Sequence, residues 1–112
     1  DKYKLGNLTA IIDQNGYQQT GATEVVLDQT PFQARCESFG WHTQTIAGND
    51  MEAVVAALET AKGVTDRPTM IVAQTKKGAG IIPLLEEAGD LNMHGQPLKP
   101  ELAEKAIALL QG

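Results

Sequence analysis

Short apolar segments alternate with amphipathic ones along this chain, and the alternation predicts its fold. Two stretches are mostly apolar and contain β-branched residues, as strands do: Leu8 to Ile12 and Thr69 to Ala73. Another short strand is predicted between them, over Trp41 to Ile46. The first is typical of a strand that is covered on both faces. Segments with helical spacing of apolar residues follow these stretches. Strands alternating with helices pair in parallel through right-handed crossovers, so the sequence predicts an α/β fold, a parallel sheet flanked by helices.

The first predicted helix begins at Thr30 and ends at Gly40. Thr30 is expected at the N-cap, Pro31 at the first helical position, and Gln33 where it completes a capping box. Its apolar positions recur at helical spacing and are expected to face the sheet: Phe32, Cys36 and Phe39. The single cysteine, Cys36, is therefore interpreted as a small buried hydrophobe. The alternative, a catalytic thiol, would need a partner that stabilises the thiolate.

Two further helices are predicted from capping residues and apolar stripes. A capping box formed by Asn49 and Glu52 begins the second helix, which ends at Gly63. One apolar stripe runs along it: Met51, Val54, Val55, Leu58 and Ala61. The last helix begins at Pro100 after an irregular segment that holds Met93 and the pair His94-Gly95. Its apolar positions lie on one side: Leu102, Ala106, Leu109 and Leu110.

Two polar loops follow predicted strands and are expected at the ligand-binding edge of the sheet. Ligands of parallel sheets collect at the carboxyl ends of the strands. The segment Asp13 to Gly16 offers a carboxylate, two amide oxygens and an open backbone, which suit Mg²⁺ or Ca²⁺. The alternative is a tight turn, since Asn-Gly is common in hairpins. A hairpin is disfavoured because residues 17–20 lack the alternation of a returning strand.

The second loop, Lys76 to Gly80, could hold an anion. Its glycines let backbone N–H groups approach closely, and its two ammonium groups supply positive charge. The spacing fits neither a Walker loop nor the dinucleotide fingerprint, so a solvated lysine pair remains the alternative. His94 lies in a polar, glycine-flanked segment where an imidazole could face a site.

Composition and charge exclude several classes of function. The chain has 112 residues, which corresponds to one domain or part of one. Nine Lys and Arg against fourteen Asp and Glu give a net charge of −5 with no basic stripe, which argues against nucleic-acid binding. The apolar runs are far shorter than the roughly 20 residues of a membrane span. Residues 1–6 do not resemble a secretory signal, so the chain is expected to be cytoplasmic.

The order of these segments resembles the thiamine diphosphate domain of transketolase. The resemblance covers nearly the whole chain, in the family's order, and it is carried by six stretches: Tyr3 to Leu8, Ile11 to Gly16, Arg35 to His42, Lys62 to Ala73, Thr75 to Gly80, and His94 to Leu98. It implies two-carbon ketol transfer from a ketose phosphate to an aldose phosphate, as in the pentose phosphate pathway. The implied cofactors are thiamine diphosphate and Mg²⁺, or Ca²⁺ in its place.

The resemblance also assigns roles to individual residues. Asn15 matches a residue whose side-chain oxygen binds Mg²⁺, and Tyr17 one whose backbone carbonyl binds the same ion. Lys77 matches the loop lysine that contacts thiamine diphosphate. His94 matches a histidine near the diphosphate and the reacting centre, where it assists proton movement or orients substrate. Gln19 corresponds to a glutamine that contacts the cofactor in the shorter transketolases.

The chain departs from the family mainly by what it lacks. A Gly-Asp-Gly motif, whose Asp is the other Mg²⁺ ligand, lies upstream in the family, and a second, pyrimidine-binding domain supplies an activating Glu. Residues 1–112 therefore resemble the later half of one cofactor domain, with no second domain in this chain. The family's Asp-Gly-His segment appears as Ala47 to Asp50, a departure expected to affect the turn more than catalysis.

The resemblance implies that the chain is inactive alone and works with companion chains. A truncated, nicked or split subunit is expected to pack against the missing half-domain and the pyrimidine-binding domain, in a dimeric or higher assembly. A sheet cut at its first strand would otherwise expose an edge and an apolar face. Two alternatives remain open: a fragment similar to 1-deoxyxylulose-5-phosphate synthase, or a non-catalytic interaction module derived from such an enzyme.

Overall fold

A computed structural model of the chain describes residues 2–89 and 94–112, and within them there are five strands and five helices. In chain order these are β1 (Thr9–Gln14), β2 (Tyr17–Gln18), β3 (Gly21–Ala22), α1 (Thr23–Leu27), α2 (Phe32–Ser38), β4 (His42–Ala47), α3 (Met51–Gly63), β5 (Thr69–Gln74), α4 (Ile82–Glu87) and α5 (Pro100–Gln111). The three predicted strands are confirmed as β1, β4 and β5, with bounds shifted by no more than two residues. Every helix in the described residues is too short or too polar to cross a membrane.

The main sheet has the strand order β1-β5-β4, and both pairs are parallel. Residue 71 of β5 lies beside Ile11 on one side and Gln44 on the other. The central strand forms the core because it is paired on both edges, and Ile71 is only 1% exposed. The predicted α/β fold, a parallel sheet flanked by helices, is confirmed.

The first strand is an edge strand within the described sheet, and one of its faces is open. Its residues alternate between exposed and half-buried positions, and Ile11 is 58% exposed. The prediction that both faces are covered is therefore wrong for this chain. The apolar pattern is present, but the described residues provide a covering layer for only one face.

Helix α2 begins differently from its prediction. Pro31 is the N-cap residue, and no side chain caps the helix. The capping box fails because Thr30 donates its backbone N–H and its hydroxyl to Oδ1 of Asp28, at 2.9 and 2.7 Å. Gln33 donates instead to Glu37, one turn along the helix, at 2.8 Å.

The end of α2 and its apolar face confirm the prediction in part. The chain leaves the helix through Gly40, whose φ of +84° suits glycine, as expected for the residue after a C-cap. Phe32 and Cys36 are half-buried, in keeping with packing roles, whereas Phe39 is exposed. Phe39 is the C-cap residue rather than a helical one, so helical spacing does not direct its ring towards the sheet.

Helix α3 has the predicted bounds but a different cap and a different buried face. Asp50, not Asn49, is the N-cap residue, and its carboxylate accepts from the backbone N–H groups of Glu52 and Ala53 at 3.0 and 3.4 Å. The fully buried positions are Ala57 and Ala61, one turn apart. The rest of the predicted stripe is half-buried or exposed: Val54 is half-buried, and Met51, Val55 and Leu58 are exposed.

Four elements were not predicted: β2, β3, α1 and α4. Residues 17–22 form a small antiparallel hairpin, β2 and β3, which leads into α1. The Asn15-Gly16 pair does not turn β1 back on itself, since β1 pairs in parallel with β5, as the sequence favoured. Part of the predicted irregular segment is helix α4, whose Leu85 is completely buried. Met93, which the sequence analysis placed in that irregular segment, lies outside the described residues.

The last helix, α5, begins at Pro100 as predicted. Ala106 is buried and Leu102 is half-buried, which agrees with the predicted apolar side. Leu109 and Leu110 belong to the same predicted side but are exposed. Like α3, this helix buries its small residue against the described structure and leaves larger apolar residues uncovered.

Candidate functional site

A polar cleft of about 520 Å³ lies at the carboxyl ends of the three parallel strands. Nine residues line it: Asp13, Asn15, Asn49, Thr75, Lys76, Lys77, Gly78, His94 and Gly95. They come from the end of β1, from the loops after β1, β4 and β5, and from the segment before α5. Three of the predicted site residues, Asn15, Lys77 and His94, therefore share one cleft. The first and the last of them are 79 positions apart in the sequence.

Asn15 is held in one orientation by its neighbours. Its amide nitrogen donates to Oδ2 of Asp13 at 3.2 Å, and its Oδ1 accepts the backbone N–H of Tyr17 at 2.9 Å. An amide oxygen has two lone pairs, so Oδ1 retains one acceptor site beyond the bond from Tyr17. Asn15 is half-buried and lines both this cleft and a second cleft, described below.

The loop after β5 is anchored to two other loops. The hydroxyl of Thr75 donates to Oδ1 of Asp13, and the backbone N–H of Thr75 donates to the Gln14 carbonyl at 3.3 Å. On the other side, Oδ1 of Asn49 accepts the backbone N–H of Lys76 at 2.7 Å. These bonds fix the start of the loop that carries Lys77 across the ends of all three strands.

Glycine is required within the same loop. Gly78 has a φ of +72°, and a Cβ at this position would lie 2.3 Å from Cδ1 of the buried Leu85. The backbone can therefore turn sharply over α4 only without a side chain. This turn follows Lys77 directly and keeps its side chain at the cleft.

Lys77 and Tyr17 meet at the boundary between two clefts. The Lys77 ammonium lies 5.7 Å from the centroid of the Tyr17 ring, within the range of a cation–π interaction. Tyr17 lines a second cleft of about 560 Å³, which shares Asp13 and Asn15 with the first. Gln19 lies in the exposed turn between β2 and β3, outside the residues that line the two clefts.

Asn49 lines the cleft, although its sequence pattern predicted it as the N-cap of α3. Its spacing to Glu52 predicted an N-cap, but the next residue, Asp50, performs that role and leaves the Asn49 amide for the Lys76 loop. Gly48 brings the two loops together, since a Cβ there would lie 2.5 Å from Cγ2 of Thr75. The sequence does contain a signal for this role. Asn49 and Asp50 are both capping residue types, and only one of them can cap the helix, which leaves the other for a different partner.

The charges around the clefts suit an anionic ligand better than a bare metal ion. Lys76 and Lys77 face the first cleft together with one carboxylate, Asp13. Within residues 2–89 and 94–112, no three His, Cys, Asp or Glu side chains gather where they could hold a metal. The donor set near Asn15 is an amide oxygen and backbone carbonyls, which fit a hard cation such as Mg²⁺ when a phosphate ligand supplies the remaining oxygens.

One carboxyl group beside the second cleft has a shifted pKa. Hydrogen bonds from the backbone N–H and the hydroxyl of Thr30 hold the pKa of Asp28 below its ordinary value of 3.8, with a smaller contribution from the charge of Arg35. The carboxylate is thus stabilised in its charged form by the segment that leads into α2.

Comparison with known proteins places these residues in a family. The family described as "Transketolase, thiamine diphosphate binding domain" matches residues 1–109. The chain is 39% identical over 109 residues to human transketolase-like protein 2, covering 97% of this chain and 17% of that protein. It is 38% identical over 105 residues to mouse transketolase, covering 94% of this chain and 16% of that enzyme.

Solved structures agree with the sequence comparisons. A transketolase from Pichia stipitis, solved in complex with sedoheptulose-7-phosphate, superposes with a TM-score of 0.63 at 26% identity. The match covers 96% of this chain and 19% of that one, so the chain spans less than a fifth of the length of each of these three relatives. The family match, the curated relatives and the shared fold together show that this chain belongs to the transketolase family, in its thiamine diphosphate-binding domain.

Proposed function

We propose that the chain is part of a transketolase-type enzyme that transfers a two-carbon ketol unit between sugar phosphates. The observation that carries this proposal is the single cleft lined by Asn15, Lys77 and His94 at the carboxyl ends of the strands. Parallel α/β sheets bind their ligands at this edge. In this proposal the enzyme acts in the cytoplasm, in the pentose phosphate pathway.

Asn15 and Tyr17 would hold the metal ion of the cofactor. Oδ1 of Asn15 has a free lone pair beside the cleft, and its bond from the Tyr17 N–H fixes the path of the chain between the two residues. The backbone carbonyl of Tyr17 would supply a second oxygen. An amide and a carbonyl leave the charge of Mg²⁺, or Ca²⁺, to be balanced by diphosphate oxygens.

Lys77 and His94 would face the cofactor from the loop after β5 and from the segment before α5. The Lys77 ammonium would neutralise diphosphate charge, and the anchored loop at Thr75 and Lys76 limits how far it can move. His94 is exposed at the cleft, where it would orient the sugar or move a proton. When bound, thiamine diphosphate supplies the carbanion chemistry, and the protein supplies placement. Gln19 would contact the cofactor only after its hairpin turn approaches the cleft.

Companion chains would complete the enzyme. The edge strand β1 exposes Ile11, and α3 exposes Met51, Val55 and Leu58. A cleft lined by Thr9, Val55 and Leu58 lies between these two elements, and we call their exposed apolar residues the apolar flank. Because the chain spans 17% of a curated relative, the segments carrying the Gly-Asp-Gly half and the pyrimidine-binding domain would lie on other chains or on further parts of the same one. The assembly would be dimeric or larger, and residues 1–112 would be inactive alone.

Two other functions would explain the same resemblance less well. The relatives described above are transketolases and a transketolase-like protein, which favours transketolase over 1-deoxyxylulose-5-phosphate synthase. A non-catalytic interaction module would have no need for Asn15, Lys77 and His94 to share a cleft. Their common location therefore supports the enzyme.

Native mass spectrometry of the purified protein tests the proposal because it reports chains and small molecules together. We expect a complex that contains companion protein and the added masses of thiamine diphosphate and Mg²⁺. Asn15→Ala should abolish the Mg²⁺-dependent retention of cofactor, whereas Asn7→Ala, at an exposed asparagine outside the cleft, should not. A bare 12.0 kDa species that retains no cofactor when supplied with it would contradict the proposal and favour the interaction module.

A further inference from the structure

We propose that Asp13 is a positioning residue that sets the orientation of the Asn15 amide, so that oxygen and not nitrogen is presented to the metal ion. This inference rests on the proposed function for the role of Asn15. It assigns to Asp13 a task that is distinct from binding the cofactor. The structural basis is a chain of hydrogen bonds that runs from Thr75 through Asp13 and Asn15 to Tyr17.

An asparagine on its own can present either end of its amide. The oxygen and the NH₂ group have nearly the same shape, so the partners decide which of them faces a ligand. A metal ion binds the oxygen, and rotation of the amide by half a turn would present two donors that repel it. An enzyme that uses asparagine as a metal ligand therefore needs a neighbour that distinguishes the two ends.

Asp13 makes this distinction because an ionised carboxylate can only accept hydrogen bonds. Its Oδ2 lies 3.2 Å from Nδ2 of Asn15, and the bond is possible only with the NH₂ group on that side. Oδ1 of Asn15 is then placed 2.9 Å from the Tyr17 N–H, with one lone pair remaining. One acceptor thus fixes the amide at one end, and one donor fixes it at the other.

Asp13 is itself held in place by a residue that is distant in sequence. Its second oxygen, Oδ1, accepts from the hydroxyl of Thr75 at the end of β5, next to the loop that carries Lys77. Asp13 and Ala73 are register partners in the parallel sheet, so the two loops begin at the same level. The sheet register thereby fixes the carboxylate from which the Asn15 amide takes its direction.

The test compares the wild type with Asp13→Ala, and it includes a rescue variant and a matched control. Asp13→Ala removes the acceptor and leaves the Asn15 amide held only by the Tyr17 N–H, so the flipped orientation becomes accessible. In the double variant Asp13→Ala with Asn15→Asp, position 15 carries two equivalent oxygens, so its orientation no longer matters, and the net charge equals that of the wild type. Asp28→Ala is the control because Asp28 also accepts from a threonine hydroxyl, at 2.7 Å, but makes no bond to Asn15.

Calorimetric titration with thiamine diphosphate and Mg²⁺, on the protein with any companion that copurifies, is the first measurement. Loss of a partner that orients a metal ligand typically weakens binding by about 10–100-fold, and we expect that loss for Asp13→Ala. The double variant should recover most of the affinity, and Asp28→Ala should match the wild type within about twofold. A rescue at residue 15 would not repair a loss caused only by the broken bond to Thr75.

Amide hydrogen exchange at Tyr17, without cofactor or metal, is the second measurement. The Tyr17 N–H donates to Oδ1 of Asn15, so its exchange should accelerate in Asp13→Ala and return towards the wild-type rate in the double variant. Unchanged exchange in Asp13→Ala, or wild-type affinity in that variant, would overturn the inference. If the wild type itself binds no cofactor, the proposed function fails, while the exchange pattern still decides how the amide is oriented.

Discussion

The loops at the carboxyl end of the sheet and the apolar flank formed by β1 and α3 differ in how well they are stabilised within this chain. In the loops, Asn49 and Asp13 accept hydrogen bonds from residues 27 and 62 positions away. On the flank, Ile11 and Val55 are more than half exposed. The chain thus holds its polar loops in place with its own hydrogen bonds but leaves apolar surface uncovered.

This difference separates two physical requirements of a cofactor site. Polar loops are positioned by directional bonds between a few atoms, and these can form within one segment of a fold. Covering an apolar face requires a whole additional layer of structure, because the free energy depends on the area removed from water. A segment of a larger domain can therefore retain the geometry of its site while its core depends on what packs against it.

The largest expected effect is a contrast between two isoleucines that are neighbours across the sheet. Ile71→Ala in the central strand should cost about 2–5 kcal/mol because it opens a cavity at a residue that is 1% exposed. Ile11→Ala, the same substitution on the edge strand, should change stability by about 0.5 kcal/mol or less in the chain alone. Urea unfolding of both variants is the measurement. Equal losses would mean that the flank is already covered in the chain alone.

The close approach of the two loops gives the next effect. In Gly48→Ala the new Cβ would lie 2.5 Å from Cγ2 of Thr75 and 2.9 Å from the Ala73 Cβ, so the loops must separate. Such overpacking typically costs about 1–3 kcal/mol, measured by thermal or urea unfolding.

Gly63→Ala is the matched control for this substitution. A Cβ at Gly63, in the last turn of α3, would meet no atom within 4 Å, and alanine favours a helix over glycine. This variant should be neutral or slightly stabilising. A Gly48→Ala protein as stable as Gly63→Ala would mean that the β4–α3 and β5–α4 loops are not in close contact.

A smaller effect is expected where Asn49 holds the Lys77 loop. Asn49→Ala removes the acceptor for the Lys76 N–H, and a typical hydrogen bond contributes about 0.5–1.5 kcal/mol. Asn49→Asp retains an acceptor oxygen and should preserve the bond. Amide exchange at Lys76 measures both variants and should accelerate only with alanine. Unchanged exchange at Lys76 in Asn49→Ala would show that Asn49 does not act as the acceptor.

The sequence was sufficient for the sheet and for the gathering of the site, because each depends on patterns within one segment. The parallel strands followed from short strand patterns, and the shared location of Asn15 and Lys77 followed from loops placed after those strands. The place of His94 in the same cleft followed from the resemblance and not from the strand pattern. The roles of the site residues stay predictions. The end of α3 at Gly63 was also correct, because a terminating glycine is a local signal.

Choices between neighbouring residues could not be predicted from local spacing. Thr30 and Asn49 both fit capping patterns, but each has a stronger partner elsewhere: Asp28 for the first and the Lys76 N–H for the second. The burial of Ile11 could not be predicted either, because an apolar strand pattern does not reveal whether the covering layer belongs to the same segment. The errors at Asn49 and Ile11 concern contacts that only tertiary structure decides, whereas Thr30 has a second local partner that its capping pattern does not reveal.

The smallest expected effect concerns Asp28, whose bonds come from nearby residues of the same loop rather than from another strand. Its folded pKa lies below the ordinary 3.8 because the Thr30 N–H and hydroxyl stabilise the carboxylate. Its charge therefore contributes stability above about pH 4, and this contribution is lost as the pH falls through the folded pKa. Asp28→Asn should lower the urea midpoint slightly at pH 7, and the gap to the wild type should narrow as the pH falls through the folded pKa. A gap that stays constant as the pH falls would mean that the shape of the side chain, rather than its charge, stabilises this loop.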